Sequence, residues 1–236
     1  MMSKEQNIIT IDGPAGVGKS TVSRMVAAAT AYTYLDTGAM YRAVGLYLDG
    51  QSVDLDDLPA VSRSLEELKI ELFPAADALS DIRVLLNGED VSETIRTPAV
   101  AMIASRVSAL SAVRDNLTKM QWAIGKKGRV VAEGRDIGTV VFPAARYKFF
   151  LDALPEERAR RRVEQLRARG VEVDEVEILA MTLERDRNDR ERELAPLRQA
   201  EDAVKVDTTD ISIDQVVEKI LQEISIKDKQ GPLSPS

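Results

Sequence analysis

Residues 13–20 read Gly-Pro-Ala-Gly-Val-Gly-Lys-Ser and match the phosphate-binding loop pattern G-x-x-x-x-G-K-[ST] at every fixed position. A β-branched run at 8–11 precedes this loop, and residues 21–29 suit the first turns of a helix. In this order, loop N–H groups and the positive end of the helix surround a phosphate. We therefore predict a nucleoside triphosphate site in which Lys19 contacts phosphate and the Ser20 hydroxyl binds Mg²⁺. The predicted ATP-binding residues are Gly13, Pro14, Ala15, Gly16, Val17, Gly18, Lys19, Ser20 and Thr21.

The residue types that the chain lacks restrict its chemistry. It contains no cysteine and no histidine, which excludes disulfides, thiolate chemistry and the commonest general base. With 32 basic and 39 acidic residues, the chain has a formal net charge of -7, which argues against a nucleic-acid partner. Any reaction must rely on lysine, arginine, carboxylates and hydroxyls.

Length and hydropathy indicate a cytoplasmic enzyme. The 236 residues exceed one average domain but do not make two, so we expect a core with an inserted lobe. The apolar stretches are too short to span a bilayer and no leader precedes the first strand, so we expect no membrane partner. No exposed apolar stripe stands out, which favours a monomer.

Short apolar runs separated by helical patterns predict an open α/β fold with a parallel sheet. The predicted strands are 8–11, 33–35, 129–132, 147–151 and 203–206. A capping box at Ser212 and Gln215 predicts the start of the last helix. Residues 227–236 have little apolar content and are predicted to form a disordered tail.

The region 41–127 departs from the alternation of strands and helices. Residues 68–73 alternate apolar and polar side chains, and 82–86 lead into Asn87-Gly88, a strong hairpin signal with Val91 on the return strand. This pattern predicts a small antiparallel sheet inside an inserted lobe. A helix is expected from Thr97-Pro98 to about 110, and another, capped by Ser111, to about 126.

Residues 156–192 contain ten arginines, no lysine and eleven acidic residues. Most of these arginines fit a pair of solvated helices with i,i+4 ion pairs, divided at Gly170. The exclusive use of arginine also fits planar, bidentate phosphate contacts. A mobile helical lid over a nucleotide is therefore a second interpretation of the segment.

Three classes of P-loop protein compete at this point. A regulatory GTPase normally selects guanine with Asn/Thr-Lys-x-Asp, and the nearest stretch here, 204–207, begins with Val. A non-catalytic nucleotide sensor would need no acceptor site. A kinase for a small acceptor explains the inserted lobe and the arginine segment, and a phosphate monoester acceptor needs no protein base.

Four motifs, in order, resemble bacterial cytidylate kinases. They are Ile-Asp-Gly-Pro-Ala-Gly-Val-Gly-Lys-Ser-Thr at 11–21, Leu-Asp-Thr-Gly-Ala-Met-Tyr-Arg at 35–42, Ala-Glu-Gly-Arg-Asp-Ile-Gly-Thr at 132–139, and Glu-Arg-Asp-x-x-Asp-x-x-Arg-x-x-Ala-Pro-Leu at 184–197. The resemblance covers about 7–223 and implies transfer of the ATP γ-phosphate to CMP or dCMP. It also implies a P-loop core, a nucleoside-monophosphate lobe and a short helical lid.

Roles follow from this resemblance position by position. It implies that Arg42 and Arg135 bind the acceptor phosphate, with Arg192 also contacting the monophosphate ligand. It implies that Arg185, with Arg161 or a neighbour, reaches the transferring phosphoryl group, so that Lys19, Arg161 and Arg185 are the candidate catalytic residues. The implied CMP-binding residues are Asp36, Arg42, Ser105, Arg114, Arg135, Asp136, Asp189 and Arg192, with Ser105, Arg114 and Asp136 at the cytosine and Asp189 at the pentose.

Each of these assignments has a structural alternative. Arg114 also fits a surface position on its helix, Ser105 an interior-facing helix serine, and Arg135-Asp136 an ion pair that stiffens a loop. Asp36 is a candidate for outer-sphere support of Mg²⁺ but also suits the cap of a helix that begins near Thr37. Spacing does not choose among Arg160, Arg161 and Arg162, because consecutive helical residues point about 100° apart. The predicted organisation is a core (1–38, 128–154 and 193–226), a monophosphate lobe (39–127, with an insert around 63–110), a lid (155–192) and the tail.

Overall fold

The computed structural model describes residues 6–74, 77, 80–168 and 170–230. In chain order its elements are β1 (Gln6–Asp12), α1 (Lys19–Thr30), β2 (Thr33–Asp36), α2 (Thr37–Gly50), α3 (Leu58–Glu66), β3 (Ile70–Phe73), β4 (Arg83–Leu86), β5 (Glu89–Asp90), a 3₁₀ turn (Thr94–Arg96), α4 (Pro98–Val107), α5 (Ser111–Gly125), β6 (Val130–Gly134), a π turn (Ile137–Val141), β7 (Ala145–Asp152), α6 (Pro155–Ala168), α7 (Glu175–Glu191), β8 (Val204–Asp207) and α8 (Ile213–Lys229).

The predicted parallel sheet is confirmed. Its five strands lie in the order β2-β6-β1-β7-β8, with every pairing parallel. β1 occupies the centre, and its residues 8–12 are buried because helices cover both faces of the sheet. The fold is α/β, as the alternation of apolar runs predicted.

The antiparallel insertion is also confirmed. β3, β4 and β5 form a three-stranded sheet, and Asn87 and Gly88 turn the chain with φ of 49° and 89°, the positive values that a type I′ hairpin requires. The return strand ends at Asp90, so Val91 lies just beyond it, although its N–H still donates to the carbonyl of Val84 at 3.0 Å.

Hydrophobic side chains form two clusters, one on each face of the parallel sheet. One combines Leu35 and Val130 of the large sheet with Val84 of the small sheet, so the inserted lobe shares its core with the sheet. The other packs α1 and α8 on the opposite face, through residues such as Val22 and Ile220.

Two predicted helix boundaries were wrong. Leu110, not Ser111, occupies the cap position of α5 and offers no side-chain cap, because Leu110 packs against the hydrophobic cluster and Ser111 falls in the first helical turn. α8 has the predicted capping box but continues to Lys229, so residues 227–229 are helical and not part of a disordered tail. The rest of that predicted tail, 231–236, lies outside the described residues.

None of the helices in the described part of the chain is both long and apolar enough to cross a membrane.

Candidate active site

Parallel pairing brings the carboxyl ends of three neighbouring strands to one edge of the sheet. The register sets Asp36 of β2 beside Glu133 of β6, and Asp12 of β1 beside Gly134. All three carboxylates are buried. Open α/β sheets bind ligands at this edge, and the phosphate-binding loop begins here, directly after Asp12.

The loop conformation depends on its glycines. A Cβ on Gly13 would lie 2.1 Å from the carbonyl oxygen of Leu151, and Gly18, at the N-terminus of α1, has a φ of 90°. Both positions exclude an ordinary side chain. The backbone therefore wraps closely enough to direct its N–H groups into the space in front of α1.

Lys19 lies folded back on this loop. Its Nζ donates to the carbonyl of Pro14 at 2.6 Å, and the side chain is buried. Burial, with Arg135 nearby, holds the pKa of Lys19 well below its ordinary value. A phosphate in the loop would offset both effects because it brings negative charge to a desolvated ammonium group.

A cleft of about 930 Å³ opens in front of the loop. Most of the predicted donor-side residues line it, together with several from the acceptor set. Its charged and hydroxyl-bearing members include Lys19, Ser20, Thr21, Asp36, Arg42, Glu133, Arg135, Arg160, Arg161, Arg162 and Arg185. The cleft therefore joins the loop, the sheet edge and the arginine-rich helices.

Two guanidinium groups in this cleft have a buried N–H without a hydrogen-bond acceptor in the described part of the chain. They belong to Arg42 and Arg185, and the atom in each is Nε. Burial, followed by the charge of Arg135, lowers the pKa of Arg185 to about 10. Arg185 remains protonated at neutral pH, so this group of cations favours a multiply charged anion.

Arg135 and Asp189, predicted to contact phosphate and pentose, form an ion pair with each other. The Nε of Arg135 lies 2.6 Å from Oδ2 of Asp189. Burial alone would raise the pKa of Asp189, but Arg135 outweighs that effect and the pKa lies below its ordinary value. Both groups are therefore charged, and they hold α7 against the end of β6.

The predicted cytosine-contacting residues lie next to this pair. Arg114 and Asp136 form a buried ion pair, and Arg192 approaches the other oxygen of Asp136 at 3.4 Å. A smaller cleft of about 360 Å³ between α4 and α7 is lined by Ser105, Asp189 and Arg192, among others. The structure brings all the predicted acceptor residues into one continuous region.

Asp36 serves as a helix cap, the alternative left open by the sequence. Its Oδ1 accepts a hydrogen bond from the N–H of Ala39 at 2.8 Å, and its Oδ2 accepts one from Arg42 at 3.1 Å. The cap does not exclude a ligand role, because Asp36 also lines the main cleft.

The three consecutive arginines of α6 have different surroundings. Arg160, itself exposed, pairs with half-buried Glu157 and exposed Glu164 on the helix surface. Arg161 is held by Glu157 and by the carbonyls of Thr208 at 2.5 Å and Thr209 at 3.1 Å, so its guanidinium is anchored on the loop before α8. Arg162 lies close enough to Arg185 to lower the pKa of Arg185.

Glu133 was part of a quoted motif, but the sequence assigned it no role. It lies at the end of β6, lines the main cleft and accepts a hydrogen bond from the Tyr34 hydroxyl. Burial and the neighbouring Asp36 charge raise the pKa of Glu133. Two carboxylates facing one space, with the Ser20 hydroxyl alongside, suit a hard cation that takes oxygen ligands.

The family model of cytidylate kinase matches residues 9–226. That range covers most of the 236 residues. The chain belongs to the cytidylate kinase family.

Individual relatives agree with this assignment. A cytidylate kinase of Carboxydothermus hydrogenoformans is 50% identical over 93% of this chain and 97% of its own length. One of Syntrophotalea carbinolica is 48% identical over 98% of this chain and 96% of its own length. A third, of Thermosipho melanesiensis, is 47% identical over 94% of this chain and 98% of its own length.

Two further residues of this cytidylate kinase family member escaped the sequence reasoning. Asp12 immediately precedes the loop, and its carboxylate accepts hydrogen bonds from the N–H groups of Ile137 and Gly138 at 2.8 and 2.7 Å. Its position at the carboxyl end of a buried strand could have marked it as a site residue, because open α/β sheets bind ligands there. Arg158 is fully buried, and nothing in the sequence distinguishes it from the arginines that follow.

Proposed function

We propose that the protein transfers the γ-phosphate of ATP to CMP or dCMP by direct in-line transfer, giving ADP and the diphosphate. One observation carries the reaction type: a P-loop with its lysine shares a cleft with guanidinium groups whose buried N–H donors lack partners. Family membership supplies the cytosine nucleotide as acceptor.

On the donor side, residues 13–21 hold the ATP phosphates. When phosphate enters, the Lys19 ammonium leaves the Pro14 carbonyl and contacts the phosphate oxygens. This exchange is favourable because the lysine is desolvated where it now lies. Arg161 and its neighbour Arg162 line the side of the cleft that the lid forms.

On the acceptor side, Arg42 and Arg135 bind the phosphate of CMP, and Arg185 reaches the phosphoryl group that is transferred to it. Asp189 then exchanges part of its contact with Arg135 for the pentose hydroxyls. Ser105, Arg114 and Asp136 surround the cytosine, and Arg192 holds the far side of this pocket. Asp136 accepts a hydrogen bond from the 4-amino group, which uracil replaces with a carbonyl.

The reaction needs no protein base, because an oxygen of the acceptor phosphate is already ionised near neutral pH. The chain stabilises charge on the transferring group with Lys19 and Arg185, and holds donor and acceptor in line. The absence of histidine from the sequence is consistent with this mechanism.

The residues at the sheet edge fit Mg²⁺. Ser20 would bind it directly, with Asp36 and Glu133 as nearby carboxylates, and the repulsion between these two groups, which raises the pKa of Glu133, is what a cation relieves. When bound, Mg²⁺ supplies charge neutralisation at the phosphate oxygens. Lys19 and the arginines then position the phosphates around it.

The test is an ADP-release assay with ATP, Mg²⁺ and a panel of acceptors. CMP and dCMP should be the best substrates, UMP weaker, and AMP and GMP negligible. Rejection of UMP should reach about fivefold or more, because an unmatched buried polar group costs about 1–3 kcal/mol. Lys19→Ala, folded by circular dichroism, serves as the inactive control.

Purine turnover equal to that of CMP would contradict the acceptor assignment. Activity on a shikimate-like acceptor alone would point to a kinase for another small molecule. ATP binding without turnover of any acceptor would favour the nucleotide-sensor alternative.

A further inference from the structure

The lid helix α7 is attached to the rest of the protein mainly by charge. All of its residues are described, and the only buried ones are Asp186 and Asp189. Of its large apolar side chains, Val176, Met181 and Leu183 are exposed, and Ile178 and Leu179 are only half-buried. An open groove of about 300 Å³, lined in part by Val163 and Leu179, separates the exposed sides of α6 and α7. Apolar packing therefore leaves the position of α7 poorly fixed.

The two buried carboxylates lie three residues apart on one face of α7 and pair with different arginines. Asp189 pairs with Arg135, which lines the main cleft and so is accessible to a ligand. Asp186 pairs with Arg158 in a bidentate contact, with Nη1 2.9 Å from Oδ1 and Nη2 bonded to Oδ2. Neither Arg158 nor Asp186 lines the main cleft.

Arg158 also contacts the phosphate-binding loop. Its Nη1 donates to the carbonyl of Ala15 at 3.1 Å, and its Nε donates to the carbonyl of Ala153 at 3.0 Å. A Cβ on Gly16 would lie 3.0 Å from the Cβ of Arg158, so the loop packs directly on this residue. One guanidinium thus joins the loop, the end of β7 and the lid.

We propose that Arg158 is a positioning residue that, through Asp186, fixes α7 relative to the phosphate-binding loop. Asp186 directly follows Arg185, so the joint sets where Arg185 lies relative to the ATP phosphates. The Arg135–Asp189 pair opens for the acceptor, whereas Arg158–Asp186 stays closed through the cycle. Lysine cannot replace Arg158, because one ammonium cannot hold a bidentate carboxylate and two carbonyls together.

This inference rests on the proposed function for its kinetic consequences. Arg158→Lys and Asp186→Asn should each lower kcat at least tenfold, while KM for CMP changes less than about twofold, because a small misplacement of Arg185 affects mainly the transition state. Combining the two changes should lose little more activity than either alone. Multiplicative losses, or lower thermal stability with kcat unchanged, would overturn the proposal.

The matched control is Arg167→Lys. The Arg167–Glu175 pair, at 2.9 Å, also bridges the segments of α6 and α7, but both side chains are more than half exposed (55% and 67%). This variant should leave kcat and KM within about twofold of the parent. A loss equal to that of Arg158→Lys would show that any ion pair between the helices suffices, which contradicts a specific joint.

A distance measurement tests the joint without turnover, so it remains valid even if CMP proves not to be the acceptor. Because the sequence has no cysteine, spin labels can be placed at V176C on α7 and K219C on α8, both exposed. The parent should give one narrow distance distribution, Arg158→Lys and Asp186→Asn broad ones, and Arg167→Lys the parent distribution. Narrow, unshifted distributions in the first two variants would overturn the proposal.

Discussion

At the scale of single residues, the site is defined by charged groups held where water does not reach them. Asp12 shows the consequence most clearly. Its carboxylate is buried at the centre of the sheet edge and binds the turn that follows Asp136. Burial raises its pKa from 3.8 to about 7, although the two backbone N–H groups act in the opposite direction. Asp12 therefore connects the phosphate-binding loop to the turn that follows β6, at an electrostatic cost.

That cost predicts a dependence of stability on pH. Between about pH 4 and pH 7 the folded chain keeps a proton on Asp12 that the unfolded chain releases, so the free energy of unfolding falls as pH rises through this window. The loss is complete above about pH 7 and amounts to at most about 4 kcal/mol. Urea unfolding of the parent and of Asp12→Asn at pH 5 and pH 8 measures it.

Between pH 5 and pH 8, the free energy of unfolding of the Asn variant should fall by a few kcal/mol less than that of the parent, because Asn does not titrate. Other groups in the site, including Asp136 and Lys19, are present in both proteins, so the difference isolates Asp12. Identical pH dependence in the two proteins would mean that Asp12 titrates near its ordinary pKa.

At the scale of elements, α7 carries residues with different roles on one helix. Arg185 faces the main cleft with a buried, unpartnered Nε. Asp189 lines the smaller cleft and pairs with Arg135, which lines the main cleft. Because their proposed partners are the transferring phosphoryl group and the pentose, substitution of each should change a different kinetic constant.

We predict three distinct kinetic results. Arg185→Ala should lower kcat by about 10²–10³-fold with a smaller effect on CMP binding, because its charge acts chiefly in the transition state. Asp189→Ala should mainly raise KM for CMP. Arg167→Ala, on the exposed surface of α6, should change stability by less than about 0.5 kcal/mol and leave catalysis intact. Steady-state kinetics with both substrates varied separates these outcomes, and equal, mild effects at Arg185 and Arg167 would exclude a catalytic lid.

At the scale of the whole molecule, the inserted lobe is part of the main core. Val84 of the small sheet and Leu35 of the large sheet belong to one hydrophobic cluster. A lobe that shares its core in this way has no independent apolar interior, so the lobe and the sheet should unfold together.

Val84→Ala tests this cooperativity. Val84 is fully buried, so its truncation should cost about 2 kcal/mol and lower the single melting temperature by about 4–8 °C. Differential scanning calorimetry should show one transition in parent and variant. Leu183→Ala, at an exposed position of α7, is the control and should melt with the parent. A separate early transition in Val84→Ala would show that the lobe unfolds alone.

The sequence by itself determined the phosphate-binding loop, the parallel sheet, the hairpin at Asn87-Gly88 and the capping box of α8. Each depends on neighbouring residues: a glycine pattern, an apolar run, a turn dipeptide or an i,i+3 pair. The four motifs contain most of the proposed acceptor residues, and among these Asp36 and Arg135 lie at the carboxyl ends of neighbouring strands. Boundaries such as that at Leu110 were less predictable, because burial against a distant cluster decided them.

Only the tertiary structure decided which arginine does what. The four arginines of α6 at 158 and 160–162 are alike in sequence but differ in their surroundings. Arg158 is buried against Asp186, and Arg160 is solvated. Arg161 is held by the loop before α8, and Arg162 lies near Arg185. Similarly, the raised pKa of Asp12 arises from its burial at the sheet edge. Charge interactions depend on distance and desolvation, and the partners here, Asp186 for Arg158 and Gly138 for Asp12, lie 28 and 126 residues away in the chain. Local sequence patterns do not encode these separations, so the folded chain alone establishes them.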